Sequence, residues 1–146
     1  MKIYLASSWR NTYHPLILQV LLDAGHEVYN FREPIEGDTG FHWSDVDPDW
    51  KKWRTKQFVE GIQHPIAQKG FGLDMKALNW AEAVVILFPC GLSSHLEAGH
   101  GAGAGKFVYA LILDDSDLDV PELMYNMFTR ICTTPGELVE MIAADA

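Results

Sequence analysis

The stretch Ala83-Val84-Val85-Ile86-Leu87-Phe88 runs directly into Pro89-Cys90-Gly91-Leu92-Ser93-Ser94-His95-Leu96-Glu97-Ala98-Gly99. An unbroken apolar run rich in Val and Ile, with no polar alternation, is the pattern of a central parallel strand covered on both faces. Pro89 to Ser94 then reads as a tight turn, followed by the first turns of a helix that carries one carboxylate, Glu97.

The flanking segments supply the partners that such a strand needs. Lys2 to Ala6 is a short apolar segment that ends in the polar turn Ser7-Ser8-Trp9-Arg10-Asn11. Residues 13–24 have helical spacing through Leu16, Val20 and Ala24, Gly25 closes that helix, and His26 to Phe31 alternates as a strand. Residues 32–48, with Pro34, Gly37, Gly40 and Pro48 among several acids, predict a long loop. Asp49 to Ile62 predicts a helix with Trp50, Trp53, Gln57, Phe58 and Gly61 along one side, limited by Pro65. A further helix is expected from near Gly72 to near Glu82, with Gly70-Phe71-Gly72 as the turn before it. Downstream, Lys106 to Leu113 is a second buried strand, Asp114 to Asp119 an acidic loop, Pro121 to Phe128 a short helix and Arg130 to Cys132 a last strand. Thr134-Pro135-Gly136-Glu137 has the pattern of a capping box with Pro at the first helical position, opening a final helix to about Ala144.

Strands alternating with helices predict one α/β domain over residues 1–146. It is a flavodoxin-like (Rossmann-type) open five-stranded parallel sheet with helices on both faces. Ligands of such sheets bind beyond the carboxyl ends of the strands. The turns expected there are Ser7 to Asn11, Phe31 to Asp47 and Pro89 to Ser94.

Composition narrows the partners. Eleven basic against twenty acidic residues give a formal charge of −9, which disfavours a nucleic-acid polymer and favours a small ligand. No apolar run is long enough to span a bilayer, and Met1 to Ala6 lacks a secretory pattern, so the expectation is a cytoplasmic protein. Cys90 and Cys132, in or beside strands, read as reduced, half-buried thiols.

Among candidate motifs, Gly99 to Lys106 fails as a phosphate loop, with His100 at the first glycine position and Phe107 where Ser or Thr belongs. It fails as a dinucleotide fingerprint too, because Ala104 replaces the third glycine and the run follows a helix. Small residues permitting close helix-to-sheet contact explain it better. His95 and His100 are separated by about 140° around a helix axis, so no metal is expected. Glu97 has two open readings. Ser94-His95-Leu96-Glu97 is itself a capping-box pattern, while one turn into a helix beyond a central strand is where a catalytic carboxylate would stand. Asp74 is either a dipole-favoured acid in a first helical turn or half of a carboxylate pair that cleaves a glycosidic bond. Trp9 is placed to stack on a planar base, and Ser7, Ser8 and Arg10 together suit a phosphate. The other tryptophans, Trp43, Trp50 and Trp53, are expected in the core or at caps.

Three segments taken together resemble the nucleoside 2-deoxyribosyltransferase-like family, which includes nucleoside-monophosphate N-glycosidases. They are Ile3-Tyr4-Leu5-Ala6-Ser7-Ser8-Trp9, Gly72-Leu73-Asp74-Met75-Lys76-Ala77-Leu78, and Ser94-His95-Leu96-Glu97-Ala98-Gly99 with Gly105-Lys106-Phe107-Val108. The resemblance implies cleavage of the N-glycosidic bond of a 2′-deoxynucleoside or its 5′-monophosphate, with transfer to another base or to water and with no cofactor. Glu97 would attack C1′ and form a glycosyl-enzyme intermediate, Asp74 would assist proton transfer at the base, and Tyr4 would orient the nucleophile, although in sequence it is equally a core-facing strand residue. Trp9 matches a tryptophan that packs against the base, and Arg10 resembles a phosphate-binding arginine. Six residues before the nucleophile, transferases have aspartate and phosphate-handling relatives serine; here Gly91 stands, with Ser93 or Ser94 as substitutes. Family members are homo-oligomers in which a neighbouring subunit completes the site, and Leu123-Met124-Tyr125-Asn126 resembles that segment, with Asn126 as the contact. A noncatalytic nucleotide-sensing module and an NAD glycohydrolase are the alternatives.

Overall fold

The structure is a computed structural model that describes residues 1–118 and 120–146. In chain order the elements are β1 (Lys2–Ala6), α1 (His14–Asp23), β2 (Glu27–Asn30), α2 (Trp43–Val46), α3 (Thr55–Gly61), α4 (Pro65–Trp80), β3 (Ala83–Leu87), α5 (Leu92–Gly103), β4 (Phe107–Leu111), β5 (Arg130–Cys132) and α6 (Pro135–Asp145). Short 3-10 turns lie at Trp50–Lys52, Asp115–Asp117 and Leu123–Met127. Asp119, the end of the expected acidic loop, lies outside the described residues. The chain divides into two compact units, one of Met1–Asn30 with Trp80–Ala146 and the other of Phe31–Asn79.

The first unit contains the sheet. Its strands run in the order β2-β1-β3-β4-β5 and every pairing is parallel, the flavodoxin-like order. All residues of β3 are fully buried, which accounts for the continuous apolar run that marked it. Alternation then sorts the side chains. Ile3, Leu5, Val85, Leu87, Tyr109 and Leu111 join Ile17 and Leu21 of α1 and Leu138 and Ile142 of α6 in one core. On the other face α5 lies close to the sheet, because at Gly101 an added Cβ would come within 2.8 Å of Val84 Cγ2. Gly25 and Gly105 close α1 and α5 with positive φ angles of 85° and 73°, values that favour glycine. Thr134 caps α6 by accepting the Glu137 N–H at 3.1 Å. The Glu137 carboxylate reaches Thr133 N at 2.8 Å rather than the cap residue's own amide.

Several boundaries differ from expectation. The expected helix over Asp49 to Ile62 is broken at Trp53 and Arg54, both extended in ψ. Asp47 draws the chain in by accepting Trp53 Nε1–H at 2.6 Å and the Asp49 N–H at 2.8 Å. The Trp53 ring then fills the space over Gly61, where a Cβ would lie 2.3 Å from it. Trp43, on a helical turn inside the expected loop, meets Phe41 and Trp53 edge-on and anchors this second unit. The helix expected from Gly72 begins at Pro65 instead, so Gly70 and Gly72 are helical and Asp74 stands well past the first turn. Pro65 starts the helix because its missing N–H is not needed there. Gly70 is a packing glycine whose Cβ would meet Phe41 at 3.1 Å. Cys90 is half-buried as expected, whereas Cys132 is buried outright.

The close approach at Gly101 predicts that Gly101→Val destabilises the protein by about 1–3 kcal/mol through overpacking against Val84. Gly99→Ala, in the same helix with nothing near its Cβ, is expected to be neutral or stabilising by up to about 1 kcal/mol. Urea midpoints of the two variants, at unchanged m-value, check the pair.

Candidate functional site

At the carboxyl edge of the sheet, the residue preceding α5 is Gly91, extended and with no side-chain cap. The helix therefore starts at Leu92, ahead of the expected cap residue Ser94. Ser94 is only 1% exposed and already helical, and its hydroxyl is hydrogen-bonded to Cys90. The capping-box reading of Ser94 and Glu97 is thereby corrected: Glu97 lies nearly a full turn beyond the third helical position that the box requires of it, and its carboxylate is turned to the sheet.

There it meets Tyr4. Tyr4, on β1 and 1% exposed, donates its hydroxyl to Glu97 Oε1 at 2.9 Å. Its ring is stacked on Tyr29 of β2, centroids 5.1 Å apart and planes 26° from parallel, and the two residues are register partners in the sheet. Stacking holds the phenol, and the phenol holds the carboxylate.

Two turns come together beside this pair. Asn11, 2% exposed, donates its amide to the carbonyls of Leu87 at 3.2 Å and Pro89 at 3.1 Å, and accepts the Tyr13 N–H at 2.8 Å. It ties the turn after β1 to the end of β3, where the Phe88–Pro89 peptide is cis. In the first of these turns Ser7 Oγ lies 2.6 Å from Nδ1 of the buried His14, Ser8 Oγ accepts the Arg10 N–H at 3.2 Å, and Arg10 and the Trp9 indole are exposed, Trp9 by 41%. In the second, Gly91 and Ser93 are exposed.

Burial pushes the Cys90 thiol up to about 12, the Ser94 hydrogen bond offsetting part of this and the Glu97 charge adding to it, so Cys90 is no nucleophile at neutral pH. His95 hydrogen-bonds the Gly91 carbonyl through Nδ1 at 2.8 Å, which fixes the hydrogen there, and Nε2 accepts from Tyr125 OH at 2.6 Å. Burial, followed by the neighbouring Cys90 and Glu122, raises the Tyr125 phenol. Cys90, His95, Glu122 and Tyr125 border a hollow of about 300 Å³ with Phe88, Pro89 and Leu118. Asn126 is exposed and turns its amide back to the Leu123 carbonyl at 2.7 Å. Asp74 belongs to the second unit, half-buried on α4.

The sequence reading expected Tyr4, Glu97 and three turns at one edge; Tyr4, Glu97 and the turns Ser7 to Asn11 and Pro89 to Ser94 belong to the first unit, Phe31 to Asp47 belongs to the second, and Tyr29, Asn11, His14 and Asn30 were missed. The one available signal was the register of the first two strands, which sets Tyr4 opposite Tyr29. Among the described residues no helix is long and apolar enough to cross a membrane.

No family model and no curated protein matches the sequence. Solved structures do share its fold. A 2-deoxyribosyltransferase from Bacillus psychrosaccharolyticus superposes with a TM-score of 0.61 at 18% identity, covering 95% of this chain and 90% of its own. A conserved protein from Enterococcus faecalis V583 gives 0.58 at 16% identity, covering 100% and 99%. The Clostridium botulinum CMP N-glycosidase BcmB gives 0.52 at 14% identity, covering 100% of both chains. At these identities the likeness establishes the fold.

The bonds made by Asn11 predict that Asn11→Ala lowers stability by about 1–3 kcal/mol, since buried carbonyls lose their donor. Chemical denaturation measures the loss, and Asn11→Asp, whose carboxylate would face those same carbonyls, is expected to be no better.

Proposed function

We propose that this chain is a member of the nucleoside 2-deoxyribosyltransferase-like family and cleaves the N-glycosidic bond of a 2′-deoxynucleoside or its 5′-monophosphate, with Glu97 as nucleophile. The observation that carries this reading is the hydrogen bond from Tyr4 OH to Glu97 Oε1 at the carboxyl edge of the sheet. A glutamate serving only the helix would turn to the helix's own amides. This one is oriented by a buried phenol, as a nucleophile requires. The shared fold of a 2-deoxyribosyltransferase and a CMP N-glycosidase supports the same reading.

In the proposed reaction a Glu97 carboxylate oxygen bonds to C1′ as the bond from C1′ to the base nitrogen breaks, and the electron pair leaves with the base. Proton transfer at the base falls to Asp74 by the family resemblance. Water or the nitrogen of a second base then attacks C1′, and the ester opens to return the carboxylate. Trp9, 41% exposed, offers its indole to the base, and Ser93 with the uncapped amides of α5 offers donors to the sugar. Leu123 and Met124, 78% and 55% exposed, precede Asn126 on the segment that would meet a second copy of the chain and complete its site. No cofactor is invoked.

A chromatographic screen of deoxynucleosides and deoxynucleotides, with and without a second free base, tests the reading. Base release is expected from the wild-type protein, Glu97→Gln is expected to abolish it, and Tyr4→Phe to slow it by about tenfold or more, the worth of one buried hydrogen bond to a charge. Full turnover by folded Glu97→Gln would sink the proposal. Binding without base release in the wild type would favour a sensing module, and nicotinamide release from NAD a glycohydrolase of that cofactor.

A further inference from the structure

The turn after β1 contains a buried relay that the reaction above does not use. His14, the first residue of α1, is 1% exposed and both ring nitrogens are engaged. Nε2 lies 3.0 Å from the side-chain oxygen of Asn30 at the end of β2, and Nδ1 lies 2.6 Å from Ser7 Oγ. A neutral imidazole has one N–H, and an amide oxygen only accepts, so the hydrogen sits on Nε2. Nδ1 is left with a lone pair and takes the Ser7 hydroxyl hydrogen. Ser7, half-buried just past the end of β1, then presents oxygen lone pairs to any other group that approaches it.

Three amides of the turn are likewise directed inward. The Arg10 N–H is directed to Ser8 Oγ at 3.2 Å, the Asn11 N–H to the Ser8 carbonyl at 3.0 Å and the Tyr13 N–H to Asn11 Oδ1 at 2.8 Å. A phosphate needs converging N–H and O–H donors, and these point elsewhere. The exposed Arg10 side chain is a solvated charge whose pull is screened by salt, and the chain's formal charge of −9 opposes a dianion.

We infer that His14 is a positioning residue that fixes Ser7 as a hydrogen-bond acceptor, so that this turn receives an uncharged, donor-bearing group of the substrate and the 2′-deoxynucleoside is preferred over its 5′-monophosphate. The group received is the sugar 5′-hydroxyl, the one donor of the nucleoside that the monophosphate lacks. This inference rests on the function proposed above and narrows its substrate class.

Two readouts test it. The imidazole ¹⁵N resonances of His14 in the wild-type protein, assigned by their loss in His14→Asn, are expected to show a neutral ring protonated at Nε2. A ring protonated at Nδ1, or an imidazolium at neutral pH, overturns the inference. Binding is then measured in Glu97→Gln by tryptophan fluorescence, with Trp9→Phe in the same background as blank and with 2′-deoxynucleosides and their 5′-monophosphates as probes. Nucleosides are expected to bind about tenfold tighter, with the preference largely lost in Ser7→Ala and His14→Leu and recovered in His14→Asn, whose amide oxygen takes the place of Nδ1. Equal or tighter binding of the monophosphate overturns the inference, as does a preference that neither variant changes. Should His14→Leu fail to fold, Ser7→Ala decides. Base release by the wild type without nucleoside preference defeats this inference alone, whereas no binding and no base release defeat the proposed function with it.

Discussion

A parallel strand buried on both faces can present polar chemistry only at its ends, and β3 is such a strand, with every residue fully buried. Its neighbours β1 and β4 are tied to it in register, and helices must cover both faces for the apolar run to leave water. Each of its buried Val, Ile and Leu side chains contributes roughly 1.5–3 kcal/mol. Burial of β3 thereby fixes the turn through Gly91, the start of α5 and the position of Glu97. The glycine at 101 is part of the same constraint, since it lets α5 approach Val84 closely.

Polar groups at this edge are satisfied by one another. Asn11 supplies donors to the last carbonyls of the central strand region, His14 links Ser7 to Asn30, and Tyr4 reaches from β1 to Glu97. Buried polar groups left unpaired would each cost about 1–3 kcal/mol, so these bonds hold the edge in one arrangement. The Tyr29 ring extends the support to β2. Orientation of a carboxylate by a residue that is itself immobilised is the preorganisation that nucleophilic catalysis uses.

Much of this was legible in the residues. The strand at Ala83 to Leu87, the helix after Tyr13, the cap at Thr134 and the parallel order came from periodicity and punctuation, because each is a local pattern with one dominant reading. Ser94 to Glu97 was ambiguous because a capping box and a catalytic position share one spelling; only the helix start at Leu92 separates them. Gly70 and Gly72 read as a turn because the ring of Phe41, which makes a glycine useful at position 70, lies far away in the chain. Trp53 read as a helix-face residue because its bond to Asp47 leaves no periodic trace. His14 and Asn30 gave no signal at all, since a relay through strand, helix and turn exists only once the sheet has formed.

The central claim is that Glu97 is the nucleophile, and trapping the intermediate tests it most directly. A 2′-deoxy-2′-fluoro nucleoside slows both attack and release at C1′, and mass spectrometry of the digested protein then locates any sugar adduct. The account predicts a single adduct on the peptide containing Glu97, absent from Glu97→Gln. Turnover of the unmodified nucleoside with the adduct on another residue, or with the adduct retained in Glu97→Gln, would contradict it.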